Sequence, residues 1–234
     1  MNLALVLPLL AAAAAAPKPG ADVDVAAIVA RCVAAYGGKE ALARSAVTQQ
    51  EGRITSLLHP GQDGRIARAY VRPGKLRVET AWPDGNGEIR VLDGGHGWRD
   101  GQEASGPRLA AMMLQAARLD VPALLNAWVA KVEDRGPGEV EGRPVRVLAL
   151  KPAPGLLVEA GIDVATGRVL RSRSSSVDPS MPLEFETTYA DFRTVDGVLV
   201  PFHERNWANG KTTGETVLEK VAFPKSLPAE TFRP

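Results

Sequence analysis

The residue types that most often do chemistry are present but scattered. His59, His96 and His203 stand in separate segments, and none belongs to an H-x-x-x-H or a Cys/His pair. That spacing gives no zinc site. There is no G-x-S-x-G, and Ser172 to Ser176 falls on an expected strand, where hydroxyls face solvent or pair across strands. Gly94-Gly95-His96-Gly97 lacks the Lys of a phosphate loop and a following helix, so it reads as a hairpin turn. Glu184 and Glu186 share one strand face about 7 Å apart, a separation two cooperating carboxylates could use. Leu183, Phe185, Thr187 and Tyr189 alternate with or follow them on the other face, which makes the glutamates the solvated side. Arg168, Arg171 and Arg173 could meet an anionic head group, but basic residues also protect exposed strands from aggregation, and that reading comes first. No catalytic residue, metal ligand or cofactor is assigned, and the chain is read as a non-enzyme.

The remaining constellation is apolar. Trp82, Phe185 and Tyr189 come from expected inward strand faces, and Met112, Met113, Leu125 and Trp128 from expected helices. Helices laid over a curved sheet can leave an apolar cavity, and methionine surfaces adapt to varied greasy ligands. The same residues would equally fill a dry core. Periodicity does not separate packed from hollow.

The elements that position these residues follow from hydrophobic spacing. Val25, Ile28, Val29, Cys32, Val33 and Tyr36 recur at helical intervals after Asp22 and Asp24, and Gly37-Gly38 permits a left-handed stop. A short helix over 39–44 follows. From Ala46 the pattern becomes strands broken by turns: 47–58 with Gly52 as a bulge, 65–72, 75–82 and 88–92, then a hairpin closing at Trp98. Leu109, Met112, Met113, Ala116 and Ala117, then Val121, Leu124, Leu125, Trp128 and Val132, mark two amphipathic helices, with Asp120 as cap and Pro122 in the first turn. Strands resume near Arg143 and continue to Phe223, and the tail 224–234 reads as irregular surface chain. Roughly ten strands with a helical pair between two groups predict a mostly β (α+β) fold. The expected form is a single strongly curved antiparallel sheet, an unclosed β-barrel with a short α-helical lid and an N-terminal helix. No internal repeat or linker divides it.

Composition narrows the functional classes. The 234 residues are 45% apolar and 24% charged, the ordinary globular range, with a net charge of +1. No global field draws the protein to nucleic acid, and aromatics at 5% are too sparse for a base-stacking surface. The lone Cys32 leaves no intramolecular disulfide, and its apolar helical neighbours make it a small buried hydrophobe. Residues 1–16, MNLALVLPLLAAAAAA, resemble a secretory signal peptide, with 17–22 as linker and 23–234 as the folded domain. A periplasmic location is expected.

Several segments in order then carry a resemblance. VRPGKLRVE, Val71 to Glu79, followed by LDGGHGW, Leu92 to Trp98, resembles lipoprotein carriers of the LolA type, where an RP-x-x-x-R strand precedes a DG-x-x-W hairpin and then a helical pair; here one further residue separates Gly94 from Trp98. DVATG at 163–167, DFRTVDGVLVP at 191–201, AYGGKEAL at 35–42 and the terminal FRP are similar to LolA-like envelope proteins. The resemblance covers nearly the whole chain after the leader. It implies an unclosed barrel with a helical lid, and a cavity for acyl chains of lipids or lipoproteins. Arg77 and Trp98, on the matching motifs, carry over as cavity-region residues. The implied partners are an acyl lipid or lipoprotein, with envelope membrane proteins for delivery. The alternatives are an envelope interaction or sensor module with a packed core, and a hydrolase with an unrecognised site.

Overall fold

The computed structural model describes residues 24–178, 180 and 182–234; the expected signal peptide and linker lie outside the described residues. Helix α1, Val25–Ala35, starts where the Asp24 carboxylate accepts from the Ala27 amide at 3.1 Å. Its buried stripe, Val29, Cys32 and Val33, continues into Tyr36, whose hydroxyl accepts from the Val169 amide at 3.3 Å. Helix α2, Gly38–Arg44, follows at once through Gly37, at φ +95°. A side chain at Gly37 would begin 2.1 Å from the Gly197 carbonyl oxygen, so only glycine lets this corner reach the sheet.

Thirteen strands then form one antiparallel sheet. The first six are β1 (Val47–Ser56), β2 (His59–Val71), β3 (Lys75–Ala81), β4 (Gly87–Asp93), β5 (His96–Arg99) and β6 (Gln102–Ala104). Helices α3 (Gly106–Leu119) and α4 (Val121–Ala127) cross over, with Pro107 and Pro122 in their first turns. The chain returns through β7 (Glu133–Val140), β8 (Arg143–Leu150), β9 (Leu156–Asp163), β10 (Val169–Ser176), β11 (Glu184–Val195), β12 (Val198–Ala208) and β13 (Lys211–Ala222). The order across the sheet is β6-β5-β4-β3-β2-β1-β13-β12-β11-β10-β9-β8-β7. Two meanders therefore meet at the β1–β13 pair, which puts the first and last strands at the centre.

That order corrects the expected fold. The sheet is open, and it is not the strongly curved, unclosed barrel that the spacing and the resemblance implied. Its two edges, β6 and β7, lie at opposite ends of a thirteen-strand ladder, with no pairing between them among the described residues. Both edges are blunted: β6 is only three residues long, and β7 carries Pro137 and alternating exposed charges. The expected bulge falls where glycine allows it, with the β1–β13 register shifting between Glu51 and Gly52. A Cβ on Gly52 would sit 2.3 Å from the Val217 carbonyl oxygen.

The helices cover one face. Ala110, Leu114 and Ala117 of α3, with Val121 and Leu125 of α4 and the stripe of α1, pack on Leu148, Leu150, Val158, Ala160 and Ile162. Met112 and Ala116, on another side of α3, pack on Ile66, Leu76, Val78 and Leu92. One helix thus joins the two halves of the sheet. Cys32 is wholly buried in the first cluster, and burial pushes its thiol up to about 12. A thiolate reagent such as dithionitrobenzoate should leave native protein unlabelled for hours and react once urea unfolds it; rapid native labelling would contradict this burial.

Candidate functional site

Between the two apolar clusters the middle of the sheet is polar. On β2, Ile66, Arg68 and Tyr70 alternate onto the helix-covered face, and on β12 Val200, Phe202 and Glu204 are likewise buried. Arg68 donates to both Glu204 carboxylate oxygens, at 2.8 and 2.7 Å, with each side chain only 6% exposed. Gln50 of β1 accepts a further bond from Arg68 at 3.3 Å. Burial opposes the charge on Arg68, but the Glu204 carboxylate outweighs it and holds the guanidinium above its usual range. The pair spans β2 to β12 above the β1–β13 seam.

A second knot lies at the α3–α4 junction. The buried Asp120 carboxylate accepts from the Tyr70 hydroxyl at 3.0 Å and from Arg72 Nε and Nη2 at 2.7 and 2.6 Å. Arg72 also donates to the Leu42 carbonyl of α2 at 2.7 Å. Asp120 sits at the expected cap position of α4 but makes no side-chain cap bond; its oxygens are turned to the sheet instead. Burial and the neighbouring Asp120 charge push the Tyr70 phenol well above its ordinary range. One carboxylate therefore fastens two helical segments to β2.

Two hollows flank these groups beneath the helices. The smaller, about 100 Å³, lies at the Asp120 end, between Leu42, Tyr70, Tyr189, Leu199 and Phe223. The larger, about 240 Å³, opens at the other side of Arg68, lined by Arg90 and Arg118 together with Ile54, Gln115, Phe185 and Trp207. Tyr189 spans the interval: its hydroxyl is 2.7 Å from Ser172 Oγ and donates to the Arg118 carbonyl at 3.3 Å.

The nine residues singled out by sequence are spread across the molecule. Tyr189 lines the smaller hollow and Phe185 the larger. Met113 packs partly buried between both clusters, Met112 is buried under α3, and Leu125 is fully buried against α1. Trp128 packs on the outer part of the α1–α4 cluster. Trp82 stacks on His59 at 4.1 Å, at the β3–β4 end of the sheet. Trp98 lies half-buried on β5. Arg77 pairs with Glu79 and donates to the Arg233 carbonyl at 3.2 Å, so it holds the C-terminal tail. Arg68, Glu204, Arg72, Asp120, Arg90 and Arg118 are not among the nine. For Arg68 and Glu204 a signal existed: each is an ionisable residue on the inward register of an otherwise apolar strand.

The histidines stay apart, and His203 of β12 pairs with Glu215 of β13 at 2.7 Å. Glu186 pairs with Arg173 at 2.9 Å, an exposed-face ion pair.

No family model and no curated protein matches this chain. Solved structures do. An outer membrane lipoprotein-sorting protein domain from Vibrio parahaemolyticus aligns over 88% of this chain and 94% of its own, at 13% identity and a TM-score of 0.54. A LolA superfamily protein from Nitrosomonas europaea aligns over 80% of this chain and 88% of its own, at 13% identity and a TM-score of 0.50. Identity this low leaves the fold alone as what is shared: the backbone of this chain is similar to those of both structures.

Proposed function

We propose that this chain is a periplasmic carrier that holds the acyl chain of a lipid or lipoprotein beneath its helical layer. The observation that carries the reading is the way α3 and α4 sit on the sheet. They pack firmly at both flanks, yet over the middle they are fastened by a few polar contacts around Asp120, with hollows on either side. Such a joint can part without dismantling the flanking cores, and the surface it uncovers mixes Leu42, Ile54, Phe185, Leu199 and Trp207 with fixed polar groups. The shared fold with a lipoprotein-sorting domain supports the same reading, as does the leader-like sequence 1–16. Burying each methylene would contribute about 0.8 kcal/mol, so a chain of modest length suffices for micromolar affinity.

A second reading, an envelope interaction or sensor module with a packed core, draws on the burial of Met112 and Leu125. Native mass spectrometry of periplasmically expressed protein, followed by organic extraction, separates the two. A co-purifying acyl lipid or lipopeptide at about one per chain is expected from a carrier. Empty protein that also fails to take up a fluorescent fatty acid would give the site to a protein partner.

A further inference from the structure

The larger hollow has a charge balance that its own side chains do not close. Three guanidiniums, those of Arg68, Arg90 and Arg118, line it, and no carboxylate does among the described residues. Arg68 is satisfied from behind by Glu204. Arg90 donates to Gln115 at 2.9 Å and lies 2.7 Å from Glu88, which also serves Arg99. Arg118 is different. Its one side-chain hydrogen bond goes to the neutral Thr187 hydroxyl at 3.1 Å, it rests 5.3 Å from the Phe185 ring centre, and it meets no carboxylate among the described residues. Its Nε, like those of Arg68 and Arg90, is buried without a hydrogen-bond partner among those residues.

A guanidinium withdrawn from water without a counter-charge is costly, and a cleft that keeps one in place is suited to receive an anion. Burial, with the like charges of Arg68 and Arg90, holds Arg118 below the ordinary arginine range, outweighing the opposite influence of Tyr189 and Glu204. It remains a cation, and an uncomfortable one.

The rest of the cleft says what kind of anion. Ile54, Ile66, Phe185 and Trp207 supply apolar wall beside the guanidiniums. Ser56 lines the cleft and leads directly into the β1–β2 hairpin tip, where Leu57 and Leu58 are 67% and 87% exposed. A polar interior opening past an apolar lip fits a molecule that is charged at one end and greasy along its length.

Building on the carrier reading above, we infer that this cleft binds the anionic head group, a carboxylate or a phosphate, of an acyl amphiphile, with Arg118 as its main partner and Arg90 as its second. The first carbons of the chain lie on Phe185 and Trp207 and leave past the Leu57–Leu58 lip. The cargo class is thereby narrowed from acyl chains in general to acidic ones.

The test is calorimetric titration of the full mature chain with four probes, each below its critical micelle concentration. They are laurate, lauroyl lysophosphatidate, the neutral monolaurin and inorganic phosphate. A charge-assisted hydrogen bond open only to the acidic probes should make them bind at least about tenfold tighter than monolaurin. Phosphate alone should bind at least about a hundredfold more weakly than lysophosphatidate, because it lacks the chain. Arg118→Gln should reduce the preference for acid over neutral probe to within about threefold, and Arg90→Gln should reduce it partway. If Arg118→Gln does not fold, the wild-type preference and Arg90→Gln still decide. Equal binding of monolaurin and laurate overturns the inference and leaves the carrier reading intact. Phosphate binding as tightly as lysophosphatidate overturns the amphiphile assignment in favour of a free-anion site. A preference that survives both substitutions overturns the assigned residues. Failure of every amphiphile removes the carrier reading itself, and the inference with it.

Discussion

Glu204→Ala should lower the unfolding free energy by about 3–5 kcal/mol, read as a fall in the urea midpoint with an unchanged slope. The reason is the partner left behind. Arg68 is 6% exposed on its side chain and would face the truncated position with only Gln50 at 3.3 Å and Thr216 at 3.5 Å, both neutral. Neither can replace a bidentate carboxylate, so a charge remains buried without compensation. The location multiplies the effect. β2 and β12 belong to different meanders, and in the sheet they are separated by β1 and β13, the pair where the meanders join. The Arg68–Glu204 bridge therefore fastens the seam from above, as the β1–β13 ladder does edge to edge. Replacing both partners with apolar residues, Arg68→Met with Glu204→Leu, should recover most of the loss, since two desolvated charges are removed together. If Glu204→Ala costs less than about 1 kcal/mol, the pair is hydrated in solution and does not hold the seam.

Much of this architecture is legible in the residues, and its limits have physical causes. The α1 stripe of Val29, Cys32 and Val33, the Gly37 corner and the Gly52 bulge follow from side-chain spacing and from glycine's freedom of backbone approach. Strand β7 is not legible, because Asp134-Arg135-Gly136-Pro137-Gly138 has the composition of a turn. An edge strand tolerates such residues, since it pairs on one side only, with β8. β6 is too short to show a period. Curvature and closure are worse cases still. Alternation specifies which face is buried and is silent on whether the outermost strands meet, so an open sheet and an unclosed barrel share one pattern.

The site is less legible than the fold for a related reason. Large apolar residues are easy to gather from a sequence, and here most of them fill packed clusters: Met112 under α3, Leu125 against α1. The hollows lie where packing is interrupted by polar groups, and those groups become visible only when distant strands are brought together. Arg68 and Glu204 are separated by 136 positions. A charged residue on the inward register of an apolar strand is the signal to seek, and its partner is another such residue on another strand.

The helical layer offers a second large effect of a different kind. Asp120→Asn keeps the shape of the α3–α4 junction but removes the charge that Arg72 grips through two nitrogens. With Arg72 22% exposed, the expected loss is about 2–3 kcal/mol, below that of a fully buried pair because solvent screens part of the charge. Its distribution matters more than its size. The grip weakened is the one joining Arg72 and Tyr70 of the β2 end to the helices, since the amide keeps one accepting oxygen and turns the other position into a donor, while the flanking contacts of Leu114 and Leu148, or of Met112 and Leu76, are untouched. Amide exchange should therefore quicken in α2 and α4 well before it does in β8–β9 or β2–β4. On the proposed carrier reading, the same substitution should speed both uptake and release of an acyl probe, because a weaker joint lets the helices part more readily. Arg72→Ala should act in the same direction and more strongly on α2, whose Leu42 carbonyl loses its donor. Exchange that rises evenly over helices and strands would show that Asp120 supports the whole fold and governs no local opening.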